Sequence, residues 1–454
     1  MISTREKPID KKVRSVLFRD LFAAALFVSI FIWSCSEYVV PIFGYYGYTY
    51  RQYDDAELLL AIAATAVLTV LAIIRVPEFG SHILKLLNCL VAFPIIWIAT
   101  LFSSLTSEHL LELTLLVVAG FSLTRLMIGF REVSPIRVTS LSPKFYISVI
   151  SVTVLTSLAA LIFIYGLSPR LVSFSDAYDV RDEYNAQIHV TGRYLLGWLV
   201  NAFMALMLAF GISRDRWALA STAVGCYVLA YAMTGFKTYI IGMLLTLVAV
   251  LAVKYRRRFY SSWYMILSAL LGASVLIDRV HPGLDLVSLI VRRALATTGI
   301  NTTFYFEHFS KFETYKLRHS VLAPFGEPPS SLSPPRAIGE AYYGTSELAA
   351  NANYLADGYA NFGVFGVLLM SLLLGAYLRV VAGVSQHSDL AMKVGATTFV
   401  ALALANSALL TTLMNHGGLI LLLLLAVAPR DKGLDPGVSN NAVRIPPYAD
   451  RTER

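Results

Sequence analysis

The chain has 454 residues, of which 57% are hydrophobic and 15% charged, against about 45–50% and about 25% in an average soluble domain. This composition excludes a soluble enzyme and a disordered or collagen-like chain, and three cysteines are too few for a disulfide-stapled fold. The formal net charge of +8 is accounted for by membrane orientation, so nucleic acid is not an expected partner.

Runs of roughly 20 mostly apolar residues, enough to cross a hydrocarbon core of about 30 Å, recur along the sequence. They fall at 17–36, 56–74, 84–102, 110–128, 145–167, 194–212, 217–234, 238–253, 262–277, 359–378, 394–413 and 417–428. Lipid offers the backbone no hydrogen-bond partner, so each is expected to be helical. The fold class is therefore all-α, a polytopic transmembrane helical bundle of about 12 spans with two large external loops. Spans one to five occupy 1–167 and spans six to nine 193–277, with a loop at 168–192 between them. A second loop at 278–358, partly helical, leads to spans ten to twelve at 359–429 and a tail at 430–454. The last run is short, and it either re-enters or continues the eleventh through Asn415-His416-Gly417-Gly418.

The first run follows Arg5, Lys7, Lys11, Lys12 and Arg14 as in a signal peptide, but it lacks Ala-x-Ala spacing afterwards and reads as a retained anchor. Cys35, Cys89 and Cys226 lie inside apolar runs as small packing residues, so neither a disulfide nor a zinc site is expected. With the N-terminus in the cytoplasm, most of the 37 Lys and Arg fall in inside segments, including Arg214-x-Arg216 and Lys254 with Arg256-Arg257-Arg258. Both termini are then cytoplasmic.

Function should sit in the two long external connections, because long loops without regular structure usually bind, cover or catalyse. In the larger one, Leu284 to Ala296 has an amphipathic rhythm and reads as a helix lying at the outer interface. An aromatic and charged stretch follows, then a Pro-rich segment from Pro324 to Pro335 that cannot be helical, and Ala349 to Phe365 returns the chain to the bilayer. There is no internal repeat and no nucleotide-binding glycine motif. Gly363-Val364-Phe365-Gly366 lies within a span, where small residues permit close helix contact.

External cations are the informative anomaly. Arg279, Arg292, Arg293, Lys311, Lys316, Arg318 and Arg336 lie in the large loop, Arg170, Arg181 and Arg193 in or beside the small one, and Lys237 in the tight turn Thr234-Gly235-Phe236-Lys237-Thr238. Cations held on the outer face beside lipid suggest an anionic group there, and guanidinium is the best bidentate partner for phosphate. The plainer reading is that long loops escape the charge bias and that Lys237 snorkels to headgroups. For acid and base work the loops offer Asp176, Asp179, Asp182, Glu183, His189, His281, Glu307, His308, Glu313, His319 and Glu340, and spacing does not choose among them. His189 and His319 each stand near a loop arginine, so either could take a proton from a hydroxyl. Glu307-His308 has no second pair at ligand spacing, so no metal is expected. Aromatics outside the spans, among them Phe43, Tyr45, Tyr46, Tyr342 and Tyr343, suit sugar-ring stacking as well as an interfacial belt.

Taken together, the chain resembles the Wzy-type O-antigen and oligosaccharide repeat-unit polymerases of bacterial inner membranes, over nearly its whole length. The likeness rests on twelve spans with large third and fifth external loops and on three short motifs. These are Arg181 to Gly192 (RDEYNAQIHVTG), the turn Gly235-Phe236-Lys237-Thr238, and Asn353, Asp357, Tyr359 and Gly363 opening the tenth span. The fifth loop departs from the family pattern, offering only Arg318 with Gly326 and Arg292-Arg293 with Gly299. The resemblance implies a GT-C-like bundle, a membrane lipid environment, and undecaprenyl-pyrophosphate-linked oligosaccharide as substrate, with no cofactor and with a chain-length regulator protein as a candidate partner. It implies Arg181, Lys237, Arg292, Arg293 and Arg318 at the pyrophosphate, and His189 or His319 as base. A lipid-glycan ligase, with similar spans and a similar loop, and a transporter or flippase are the competing expectations. Against the transporter, the charged residues inside the spans, Glu37, Glu57, Glu112 and Arg125, sit near helix ends.

Overall fold

The computed structural model describes residues 11–74, 76–129, 136, 138–172, 177–255 and 263–430. Among them the regular elements are helices. We label α1 Ser15–Tyr46, α2 Asp55–Leu71, α3 Glu78–Leu101, α4 Ser107–Ile128, α5 Pro143–Tyr165, α6 Ala177–Gln187, α7 Val190–Ser213 and α8 Trp217–Thr234. Then come α9 Lys237–Lys254 and α10 Trp263–Val280. The helix α11 begins as the π-wound Ser288–Ala296 and runs on as Thr297–Lys311. The rest are α12 Pro334–Tyr343, α13 Tyr354–Val384, α14 Leu390–Leu404, α15 Leu409–Met414 and α16 Gly418–Ala426.

Among the described residues, nine helices (α1, α3, α4, α5, α7, α8, α9, α10 and α13) are long and apolar enough to cross a membrane, and the chain is an all-helical, multi-pass membrane protein. The other three expected runs are shorter. The run at 56–74 forms α2 with 17 residues, 394–413 forms α14 with 15 and then the 6-residue α15, and 417–428 forms the 9-residue α16. Gly417, at φ 78°, breaks the chain between α15 and α16, as glycine allows where a side chain would strain. The basic residues Arg5, Lys7 and Arg256-Arg257-Arg258, the acid Asp176 and the tail from 431 lie outside the described residues.

Local signals set the helix ends. Asp54 and Glu57 form a reciprocal capping box at α2, Ser142 caps α5 ahead of Pro143, and Asn353 accepts from Leu355 and Ala356 at the start of α13. The centre of the bundle is α3, buried along most of its length and in contact with α2, α10, α11 and α14. Around it α4 pairs with α13 and α1 with α10, while α7, α8, α9 and α14 form a second packed group.

The large connection does not stay on the surface. From the helical turns at Ser288–Ala296, within the helix expected at 284–296, it sends α11 into the bundle between α3 and α13, with Thr298 to Phe306 buried. A Cβ on Gly299 would overlap the Pro94 carbonyl, so only glycine lets α11 approach α3 this closely. The polar side chains of α11 find partners far along the chain. Thr298 Oγ1 donates to the Ala405 carbonyl at 2.9 Å, Asn301 Nδ2 to the Asn351 carbonyl at 2.6 Å, and Asn353 Nδ2 to Thr302 Oγ1 at 2.6 Å. Buried groups satisfied in this way cost far less than orphaned ones.

The segment from Pro324 to Pro335 is non-helical only over 326–333: Pro324 lies in a one-turn helix at Ala323–Phe325, and Pro334 and Pro335 open α12 at its first positions, where proline is tolerated. In α13 the helical path breaks at Phe362 and at Gly363, whose φ is 59°. Amides of the segment after α11 seal the break: Tyr315 N–H donates to the Ala360 carbonyl at 3.0 Å and Lys316 N–H to that of Asn361 at 2.9 Å. The bend presses Gly366 against the Gly358 carbonyl, so the glycines expected to serve helix–helix contact serve the fold of α13 on itself. Gly366→Ala should destabilise the protein by about 1–3 kcal/mol through overpacking. Gly225→Ala, in α8 with open space at its Cβ position, should be neutral or slightly stabilising. Thermal midpoints of the two variants in one detergent check this, and equal midpoints would refute the close contact.

Candidate functional site

Helix α6 carries Arg181 and docks on the turn joining α8 to α9. Gly235, at φ 65°, is pressed against the Ala177 carbonyl, and an added Cβ there would meet the Arg181 amide nitrogen at 3.1 Å. The Tyr184 ring stands edge-on to Phe236 with centroids 5.4 Å apart. This docking brings Arg181 beside Lys237, the first residue of α9. Approaching the same place, Asp278 accepts from the amides of Leu286 at 2.9 Å and Val287 at 2.7 Å and so caps the chain as it enters α11.

One turn into α11, Arg292 is held by Ser288 Oγ and lies over the Phe43 ring, 4.2 Å from its centroid, with Tyr46 at 5.5 Å. Lys237 lies within electrostatic range of Arg181, Arg292 and Asp285. Among the described residues, Arg181 and Arg292, from two other segments, thus lie within electrostatic range of Lys237 together with exposed Asp285, which is presented from a left-handed backbone with φ 51°. Arg293, on the same turn as Arg292, is half-buried near Tyr46, and burial lowers its pKa while a guanidinium stays charged at neutral pH. Cations set together beside rings are suited to a doubly charged phosphate group, and to the charge that grows on a phosphate leaving group.

Most other loop cations are committed to holding the fold. Arg51 makes a bidentate pair with Glu57 at 2.6 and 2.7 Å and donates to the Leu105 carbonyl. Arg170 pairs with Glu183, Lys311 with Glu307 and Lys316 with Glu313. Arg193 donates to the Asn185 carbonyl, and Arg279 to the Tyr38 hydroxyl. Arg318 is also away from the cluster, since its guanidinium reaches the Glu327 carbonyl at 3.3 Å on the segment that seals α13.

The two expected bases are placed apart. Exposed His189 caps α7, its Nδ1 accepting from the Thr191 amide, with the Thr191 hydroxyl 3.2 Å away. His319 stands edge-on to Tyr315 with a buried Nδ1 that has no hydrogen-bond partner among the described residues, and burial lowers its pKa. His308 is half-buried against Phe312, and burial lowers its pKa as well. A lowered pKa keeps an imidazole neutral and able to accept a proton at pH 7. His281 precedes a one-turn helix at Pro282–Leu284, as its Pro-Gly neighbours suggest.

Among the described residues no three His, Cys, Asp or Glu side chains converge on a point that would hold a metal ion. Sequence reasoning did not single out Asp278 or Asp285, nor the floor that Phe43 and Tyr46 make beneath Arg292. Asp278 shortly before a helical run is a capping signal visible in the sequence, whereas Asp285 becomes significant only through contacts across the fold. Family models, curated proteins and solved structures offer no match to this chain.

The burial of His319 has a pH consequence. Its folded pKa lies below the ordinary value of about 6.5, so below that pH the unfolded chain binds the proton more readily and stability falls with pH. The thermal midpoint should drop between pH 7 and pH 5, and His319→Phe should shrink the drop. An identical drop in that variant would assign the loss to other groups.

Proposed function

We propose that the chain is a bacterial inner-membrane glycosyltransferase that polymerises undecaprenyl-pyrophosphate-linked oligosaccharide repeat units. The growing glycan passes to a sugar hydroxyl of an incoming unit, the anomeric C–O bond to pyrophosphate breaks as the new glycosidic bond forms, and undecaprenyl pyrophosphate leaves. The observation that carries this reading is the convergence of Arg181, Lys237 and Arg292 beside aromatic rings. Those cations would take up the charge that develops on the departing pyrophosphate, with Arg293 behind them, and a neutral imidazole would remove the acceptor hydroxyl's proton. His308 joins His189 and His319 as a candidate for that base. Arg318, tied to the Glu327 carbonyl, is assigned to the fold instead.

The proposal includes twelve crossings in a GT-C-like arrangement, with α2, α14 to α15 and α16 completing the set. It places both termini in the cytoplasm and the cluster at the outer face. The broken α13 gives a specific reason to keep a transporter as the second reading, since interrupted helices line many transport sites.

The test uses the purified full-length chain in detergent with a lipid-pyrophosphate-linked oligosaccharide from its own organism, no nucleotide sugar, and EDTA. Wild type should give a ladder of multiples. Lys237→Ala and Arg292→Ala should each slow its formation by roughly 100-fold or more, the scale for losing one stabilising donor, while Arg318→Ala should stay within about tenfold. Ladder formation unchanged in Lys237→Ala and Arg292→Ala would remove the proposal. Transport of the lipid-linked unit across vesicles without a ladder would install the transporter reading.

A further inference from the structure

The cation cluster is one end of a longer feature. From Phe43, beneath Arg292, ring contacts continue through Tyr46 to Tyr343, with centroids 6.5 and 5.8 Å apart. Tyr343 and Tyr342 both rest on buried Phe304, at 5.8 and 4.3 Å. Tyr342 then meets His308 at 6.2 Å, and His308 stacks on Phe312 at 4.5 Å. At the two ends of the band Tyr45 is 73% and Phe312 60% exposed. Arg292 and His308 are far apart on α11, roughly 24 Å at 1.5 Å per residue, so the band is several rings long and starts at the candidate pyrophosphate site.

We propose that this band is an oligosaccharide-binding track, along which successive sugars of the lipid-linked repeat unit lie with their C–H faces on the rings. The inference deepens the polymerase reading and rests on it for the direction of the chain, with the pyrophosphate end at Arg292. Sugar rings present apolar C–H faces carrying slight positive charge, and aromatic faces are slightly negative, so the two stack without desolvating the equatorial hydroxyls. Polar groups at the rim suit those hydroxyls: the phenol oxygens of Tyr45, Tyr46 and Tyr342, and the carboxylate of Glu307, which lies within electrostatic range of Tyr342. Aromatics anchoring a protein in lipid headgroups need no mutual contact. Here the rings come from α1, α11 and α12 and the segment after α11, and they touch in sequence.

The test measures affinity of the full-length protein for the water-soluble oligosaccharide released by mild acid from the lipid-linked repeat unit of its own organism. Tyr45→Ala and Phe312→Ala alter exposed side chains and leave the cations untouched. Each should weaken binding roughly threefold to tenfold, the range of a single aromatic contact, and Phe312→Trp should retain it. No binding by wild type, or wild-type affinity in both alanine variants, overturns the track. The polymerase ladder reports separately. Binding that the alanine variants weaken, without any ladder, keeps the track and removes the polymerase reading, whereas a ladder with unaltered glycan affinity keeps the polymerase and removes the track.

Discussion

Burying α11 between α3 and α13 is the constraint from which the arrangement of the candidate site follows. A helix drawn into a membrane protein's interior must satisfy every polar side chain it brings, because neither lipid nor packed neighbours will do so by default. Thr298, Asn301 and Thr302 meet that condition through Ala405, Asn351 and Asn353, which belong to distant parts of the chain. The same bonds hold the ends of α13 and α14 in place. With α11 fixed, Arg292 is carried to the turn at Lys237 at one end, and His308 to the aromatic rim at the other.

The spans were legible because hydropathy over about 20 residues is a direct consequence of bilayer thickness, and the helices at 110–128, 145–167 and 194–212 follow it closely. Burial of α11 was not legible. Its sequence, TTGINTTFYFEHFSK, mixes threonine and asparagine with aromatics and has neither the apolar density of a span nor a clean amphipathic stripe. Its polar residues are tolerable only because of partners about 50 and 107 positions away, which no local pattern encodes. The buried Asp20–Lys85 pair at 2.6 Å escaped for the same reason, since each residue alone reads as an end-of-span charge.

The cations show how structure divides a set that sequence treats as uniform. Exposed ion pairs such as Lys316 with Glu313 contribute little, on the order of 0–1 kcal/mol. The Arg51–Glu57 pair is much less accessible and adds a carbonyl contact, so loss of either partner would strand a charge. Neither kind calls for an external anion. The cluster at Lys237 differs because, among the described residues, it draws Arg181 and Arg292 into electrostatic range of a third cation, with Asp285 beside them. Like charges brought together by backbone packing raise the energy of the unliganded protein, and an anion relieves that repulsion on binding.

The π-wound start of α11 explains how one short segment serves both packing and charge. Closing hydrogen bonds over five residues instead of four inserts an extra residue into the turn and rotates the next turns of the helix relative to a plain α-helix. Over Ser288–Ala296 this winding buries Val291, Leu295 and Ala296 while leaving Arg292 over Phe43 and Arg293 near Tyr46. Similar π-wound stretches occur at Cys35–Val39 in α1 and Asn88–Ala92 in α3, and both pack against the start of α11. Three neighbouring helices therefore depart from regular winding where they meet below the cation cluster. In α11 the wider winding sets the two adjacent arginines against neighbouring rings, Arg292 over Phe43 and Arg293 near Tyr46, while their apolar neighbours stay in the core.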